Sequence, residues 1–150
     1  MLEQQVAVYC KKLVDKAVIP EYAHSGDSGM DLYPTEEFYL DGGDRLLVKT
    51  GIAIALPKGY EAQVRPRSGN ALKHGLTVVN TPGTIDCGYR GEIGVILLNT
   101  GKERYYNDGS KAIAQLVFAP VAKAYLQMTE ELPNSDRGIR AYGSTDEAKD

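Results

Sequence analysis

The chain has 150 residues, 43% of them apolar and 25% charged, an ordinary make-up for one globular domain. Its 17 basic residues stand against 20 acidic ones for a net charge of −3, and no basic block exceeds Lys11-Lys12, which argues against a nucleic acid polymer as partner. The longest apolar run, Ile113 to Ala122, is broken by Gln115 and Pro120 and reaches only about half a membrane span, so no membrane role is expected.

Short β-type runs then follow one another at close spacing. In chain order they are Val6–Val14, Gly29–Leu32, Arg45–Leu56, Glu61–Val64, Leu76–Val79, Gly91–Asn99, Lys111–Ala119 and Ala122–Met128. Turn clusters such as Asp41-Gly42-Gly43-Asp44, Pro57-Lys58-Gly59 and Asn107-Asp108-Gly109-Ser110 separate them. The pattern predicts an all-β fold, a jelly-roll-like barrel or sandwich. One short helix interrupts it at 68–75, with Ser68 as N-cap and Gly75 closing the C-terminus in the left-handed conformation. The last 18 residues, PNSDRGIRAYGSTDEAKD, are almost devoid of apolar side chains. The expected organisation is therefore a β domain over 1–132 and a mobile tail over 133–150.

Four segments carry chemistry. Asp31, in Gly26-Asp27-Ser28-Gly29-Met30-Asp31-Leu32, is a carboxylate at the start of an apolar strand and needs a partner: an arginine, a backbone N–H, or the waters of a hard cation. Arg65-Pro66-Arg67-Ser68-Gly69 runs into the helix start, where free N–H groups, Ser68, Gly69 and Arg67 suit either a phosphate or a plain cap. Asn80 lies at the mouth of a loop, between two β-branched runs, that also holds Gly83, Thr84, Ile85, Asp86, Gly88 and Tyr89. An amide at that place reads a base edge, or else the loop is a decorated turn with a solvated Asp86. Gln115, inside an apolar strand, serves either a neighbouring strand or a ligand. Cys10 and Cys87 form no CxxC pair, and MLEQQVAVYCKK lacks the layout of a secretory signal, so a cytoplasmic or other reducing intracellular compartment is expected. His24 and His74 have no zinc-ligand spacing.

Together these segments resemble the trimeric dUTPase family, over Gly26 to Thr145 and in that family's motif order. The matching elements are G-x-D-L at Gly29–Leu32, P-R-S-G at Pro66–Gly69, N…G-x-I-D-x-x-Y-R-G-E at Asn80–Glu92, I-A-Q-L-V at Ile113–Val117 and R-G…G-S-T in the tail. The resemblance implies hydrolysis of dUTP to dUMP and diphosphate, which limits uracil in DNA and supplies dUMP for thymidylate. It implies that Asn80, with the backbone of Gly83, Thr84, Ile85 and Gly94, holds uracil, and that Tyr89 lies under the deoxyribose. Asp86 would deprotonate a water that attacks the α-phosphorus. Arg67, Ser68, Gly69 and Gln115 would hold phosphates, and Asp31 would bind a Mg²⁺ ion through water. The tail would close as a lid, with Tyr142 over the base and Arg137, Gly143, Ser144 and Thr145 near the phosphates. A homotrimer with shared active sites is implied as well.

The chain departs from the family pattern in places. Arg140, Ala141, Tyr142 and Asp146 stand where two glycines, a phenylalanine and a further glycine are usual. Ala112 replaces an arginine, Asn70 an aliphatic residue, and Cys87-Gly88 the stretch where a second acidic residue often follows. One alternative is a dCTP deaminase-related enzyme, but Ile96 occupies the position of its proton-shuttling glutamate. The other is a catalytically weak nucleotide-binding regulator, for which Asp86 would be superfluous.

Overall fold

The computed structural model describes residues 4–146; the outermost ends of the expected β domain and tail, 1–3 and 147–150, lie outside the described residues. The elements are β1 (Tyr9–Lys12), β2 (Gly29–Leu32), β3 (Phe38–Leu40), β4 (Arg45–Lys49), β5 (Ile52–Ala55), β6 (Tyr60–Arg65), α1 (Ser68–His74), β7 (Leu76–Val78), β8 (Gly83–Ile85), β9 (Gly94–Asn99), β10 (Tyr105–Asn107) and β11 (Ala114–Pro120). This is the all-β fold with one short helix that the sequence predicts.

Antiparallel pairing arranges the strands in sheets ordered β2-β11-β6-β8, β4-β9-β7, β1-β5 and β3-β10. Their inner faces meet in one core that includes Leu32, Ile52, Leu97, Ile113 and Leu116, each at most 1% exposed. The alternation in β9 shows how it is built: Val95, Leu97 and Asn99 point inward and the residues between them are half-buried.

The run Arg45–Leu56, expected as one strand, is two. Thr50 and Gly51 turn the chain between them, so that β4 pairs with β9 while β5 pairs with β1. Gly51 has φ +71°, and a Cβ there would sit 2.6 Å from Thr35 Cγ2 and 2.9 Å from both Ala17 Cβ and Val14 Cγ2. Both the left-handed backbone and the crowding forbid a side chain. Gly51→Ala is expected to lower stability by about 2–4 kcal/mol, read as a shifted urea midpoint.

Two short strands were not foreseen, β3 and β10. Each is three residues long, too short for a readable period. The pair β3-β10 gains from Tyr39 and Tyr106, which face each other across the ladder with ring centroids 4.6 Å apart. The expected strand at Ala122–Met128 does not form. Among the described residues no strand follows Pro120, and Tyr125 and Met128 are 90% and 93% exposed, because no edge within the chain pairs with that segment. The helix begins at Ser68, as expected, but the cap is Arg67, in extended conformation and without a side-chain cap bond. Ser68 is therefore the first helical residue and not the N-cap. Gly75 closes the C-terminus at φ +67°, its N–H reaching Ala71 O and Asn70 O.

Candidate active site

β7 and β9 form the hairpin expected around Asp86, and its long connection dips into the other sheet, where β8 pairs with β6. This excursion creates a cavity of about 180 Å³ lined by Val64, Asn80, Gly83, Thr84, Ile85, Asp86, Tyr89, Glu92, Ile93 and Gly94. Every residue expected of the hairpin portion of the site is among them. The volume lies below the about 300–1,000 Å³ of clefts that take a drug-sized molecule, so it fits a single small ring. Gly83 sets the floor: a Cβ there would stand 3.3 Å from both Asn80 Nδ2 and Val64 Cβ.

The loop is braced by its own residues. Tyr89 N–H donates to Asp86 O at 3.0 Å, and Arg90 Nη1 donates to the carbonyls of Cys87 at 2.7 Å and Tyr89 at 3.0 Å. The Tyr89 hydroxyl donates to Glu92 O at 2.9 Å, which fixes the ring as one wall of the cavity. Gly91 leaves room for it, since a Cβ there would lie 2.5 Å from that hydroxyl. Glu92 is tied back to the sheet corner, its Oε2 accepting Gly51 N–H at 2.9 Å. Asp86 is exposed at the rim, its carboxylate open to water.

A second cluster lies at the same end of the β2-β11-β6-β8 sheet. The register sets Asp31 opposite Gln115 and Gln115 opposite Arg65, while Val64 stands opposite Gly83. From Asp31 to the cavity is three strand spacings, about 14 Å. Arg67 answers the question of Asp31's partner, with Nε donating to Oδ1 at 2.9 Å and Nη2 to Oδ2 at 3.4 Å. Both side chains are about one-third exposed, so water screens the pair and it contributes about 1 kcal/mol at most. Gln115 Nε2 donates to Pro66 O at 2.9 Å. Gly29 makes that placement feasible, because a Cβ there would overlap the Gln115 amide oxygen. Ser68 and Gly69 are exposed beside these groups, and a Cβ at Gly69 would meet nothing within 4 Å. The result is an open, donor-rich cradle next to a narrow cavity.

The tail residues are not brought to either cluster. Arg137 donates to the carbonyls of Arg140 at 3.0 Å and Ala141 at 3.3 Å, and Arg140 donates back to Arg137 O and Asp136 O. Tyr142 is fully exposed, Gly143 and Thr145 are exposed, and Ser144 N–H bonds Ala141 O within the tail. Val64 and Glu92 line the cavity as well, though no role is expected of them. Glu92 is the last letter of the hairpin motif; Val64 carries no signal, being an ordinary core residue by type.

A larger cleft of about 720 Å³ lies elsewhere, beside β1 and β11, with Val6, Val8, Met30, Ile54 and Phe118 among its walls. It is mainly apolar, and its one carboxylate, Asp27, accepts the N–H of His24 at 2.8 Å. No group of three or more His, Cys, Asp or Glu with metal-holding geometry occurs among the described residues.

Comparison with known proteins bears on this arrangement. The family profile described as dUTPase matches residues 15–146. A deoxyuridine 5'-triphosphate nucleotidohydrolase of Crocosphaera subtropica is 55% identical over 134 residues, 89% of this chain and 94% of its own. One of Clostridium acetobutylicum is 53% identical over 135 residues, 90% and 93% respectively. Among solved structures, a variant of the Staphylococcus bacteriophage 80alpha dUTPase with dUpNHpp superposes with a TM-score of 0.87 at 27% identity, covering 93% of this chain and 98% of that one. A dUTPase variant from phage phi11 of S. aureus, described with a structural Mg(II) ion, reaches 0.78 at 25% identity, covering 83% and 97%.

Proposed function

This chain belongs to the dUTPase family, and from that premise we propose that it hydrolyses dUTP to dUMP and diphosphate, limiting uracil in DNA and supplying dUMP for thymidylate synthesis. The observation that carries the reading is the cavity: seven residues expected from the hairpin motif converge on one space sized for a single ring, with the Asp86 carboxylate at its rim.

The roles follow from the chemistry of each group. Asn80 and the backbone of Gly83, Thr84, Ile85 and Gly94 supply donors and acceptors for the edge of a pyrimidine, and the floor at Gly83 limits its size. The ring of Tyr89 offers the sugar a flat apolar face. Asp86 takes a proton from a water as that water's oxygen bonds the α-phosphorus, and the bond from the α-phosphorus to the bridging oxygen breaks to release diphosphate. Arg67, Ser68, Gly69 and Gln115 neutralise and orient the phosphates, which is most of what phosphoryl transfer asks of a protein. Arg67 is free to exchange Asp31 for a phosphate because their screened pair is weak.

Asp31 belongs to no group of three or more metal-holding side chains among the described residues, which fits a hydrated Mg²⁺ held through water and substrate phosphates and not a full protein cage. When bound, that ion would offset triphosphate charge and fix its shape. Arg137, Tyr142, Gly143, Ser144 and Thr145 are proposed to fold over the ligand as a lid formed by 133–150, apart from a β domain over 1–132. The exposed apolar side chains of Tyr125, Leu126 and Met128 support a homotrimer with shared sites, in which association covers them. The free thiols Cys10 and Cys87 support a reducing compartment, and no described helix is long and apolar enough to cross a membrane.

The test is diphosphate release from dUTP, dCTP, dTTP and UTP in parallel, with and without Mg²⁺. The expected result is a preference for dUTP of about 10²-fold or more, a slower rate after chelation, and no ammonia from dCTP. Equal rates for all four nucleotides would refute the pocket assignment.

A further inference from the structure

Helix α1 has no buried residue and no side-chain N-cap. At its C-terminal end the His74 ring packs against Tyr105, with centroids 5.1 Å apart, but its first turn has no such anchor and is placed by polar ties. Three fasten the stretch from Pro66 to Asn70 onto β2, β11 and the segment leading into β11: Gln115 Nε2 to Pro66 O at 2.9 Å, Arg67 Nε to Asp31 Oδ1 at 2.9 Å, and Asn70 Nδ2 to Ala112 O at 3.0 Å. The first two use side chains that the dUTP reading sends to phosphates. An arriving triphosphate competes for the Arg67 guanidinium and the Gln115 amide, and both ties loosen as it is held. The third joins a neutral amide to the carbonyl of a buried residue, Ala112, just before β11. Position 70 is also one at which this chain departs from the family pattern, and the amide it brings there is what makes the bond.

We propose that Asn70 is the positioning residue of the phosphate cradle. It keeps Ser68 and Gly69 in register with Gln115 while Arg67 and Gln115 change partners. The inference rests on the dUTP reading and deepens it: the tie serves the triphosphate half of the site and leaves the base half alone.

The test uses the full chain with Asn70→Leu and, as a variant sure to suit a helix, Asn70→Ala. Kinetics with dUTP, inhibition by diphosphate, binding of deoxyuridine and thermal midpoints are measured for each. Loss of one hydrogen bond to a carbonyl left without its partner predicts a rise of about tenfold in KM for dUTP and in the inhibition constant of diphosphate. Deoxyuridine affinity should stay within about twofold, since no tie to the cavity is touched. Unchanged KM and diphosphate inhibition overturn the proposal, and so does an equal weakening of deoxyuridine, which marks a general structural effect. A wild-type protein that fails to hydrolyse dUTP refutes the underlying reading instead, so the two failures are distinct.

Discussion

Asp86→Asn is expected to slow dUTP hydrolysis by about 10²–10⁴-fold, the usual worth of a positioned general base, while affinity for dUpNHpp changes by less than about threefold. The reasoning is local. Asparagine has nearly the shape of aspartate, and the turn beneath it is held by main-chain and Arg90 bonds that do not involve the side chain. Binding groups therefore stay in place and only proton acceptance is lost. At 1.36 kcal/mol per tenfold, the change amounts to about 3–5 kcal/mol of barrier with no matching loss in binding. The readouts are diphosphate release under saturating dUTP and calorimetric titration with the analogue. A variant that turns over at the parental rate would move the base elsewhere. Glu92 is the remaining carboxylate of the cavity wall, although its Oε2 already accepts Gly51 N–H. A variant that loses affinity and rate together would make Asp86 a binding residue.

How much of this was legible in the chain depends on how local each feature is. Asp86, Asn80 and Tyr89 could be placed at one site because a single short loop carries them, and spacing alone keeps them close. Strands such as β9 were legible because alternate residues face one core. The break at Gly51 was not, because the β-type runs Arg45–Lys49 and Ile52–Ala55 follow each other almost without a gap, and only the sheet assignment shows that the chain changes partners there. The apolar pattern of Ala122–Met128 reads as a strand, yet a strand needs an edge, and none among the described residues receives it. The links that organise the cradle were hidden for a different reason. Arg67 and Asp31 are 36 residues apart, and Asn70 and Ala112 are 42 apart. Such pairs become neighbours only once β2, β6 and β11 are in register. The motif letters showed that Asp31 needs a partner, but the choice among arginine, backbone and hydrated cation required the folded sheet.

Removing residues after Leu132 is expected to leave the thermal midpoint almost unchanged and to cut turnover by about 10²-fold or more. The first half follows from packing: among the described residues the last strand ends at Pro120, and none after Leu132 belongs to the core. The second half follows from charge and water. The cavity and cradle are open, Asp86 lies at an exposed rim, and phosphoryl transfer gains most from donors already aimed at the developing charge in a site that excludes solvent. The tail carries Arg137 and Tyr142, which can supply a cation and a stacking face once the segment orders on ligand. In the free chain Arg137 is occupied by the carbonyls of Arg140 and Ala141, and Arg140 by those of Asp136 and Arg137. Closure must exchange these bonds for phosphate contacts. That exchange is favourable because a guanidinium bonds an anion more strongly than a neutral carbonyl. The checking measurements are single-turnover hydrolysis and melting curves of the shortened and full chains. Undiminished hydrolysis would show that the site works without a lid, and a large drop in melting temperature would show that the tail packs against the body.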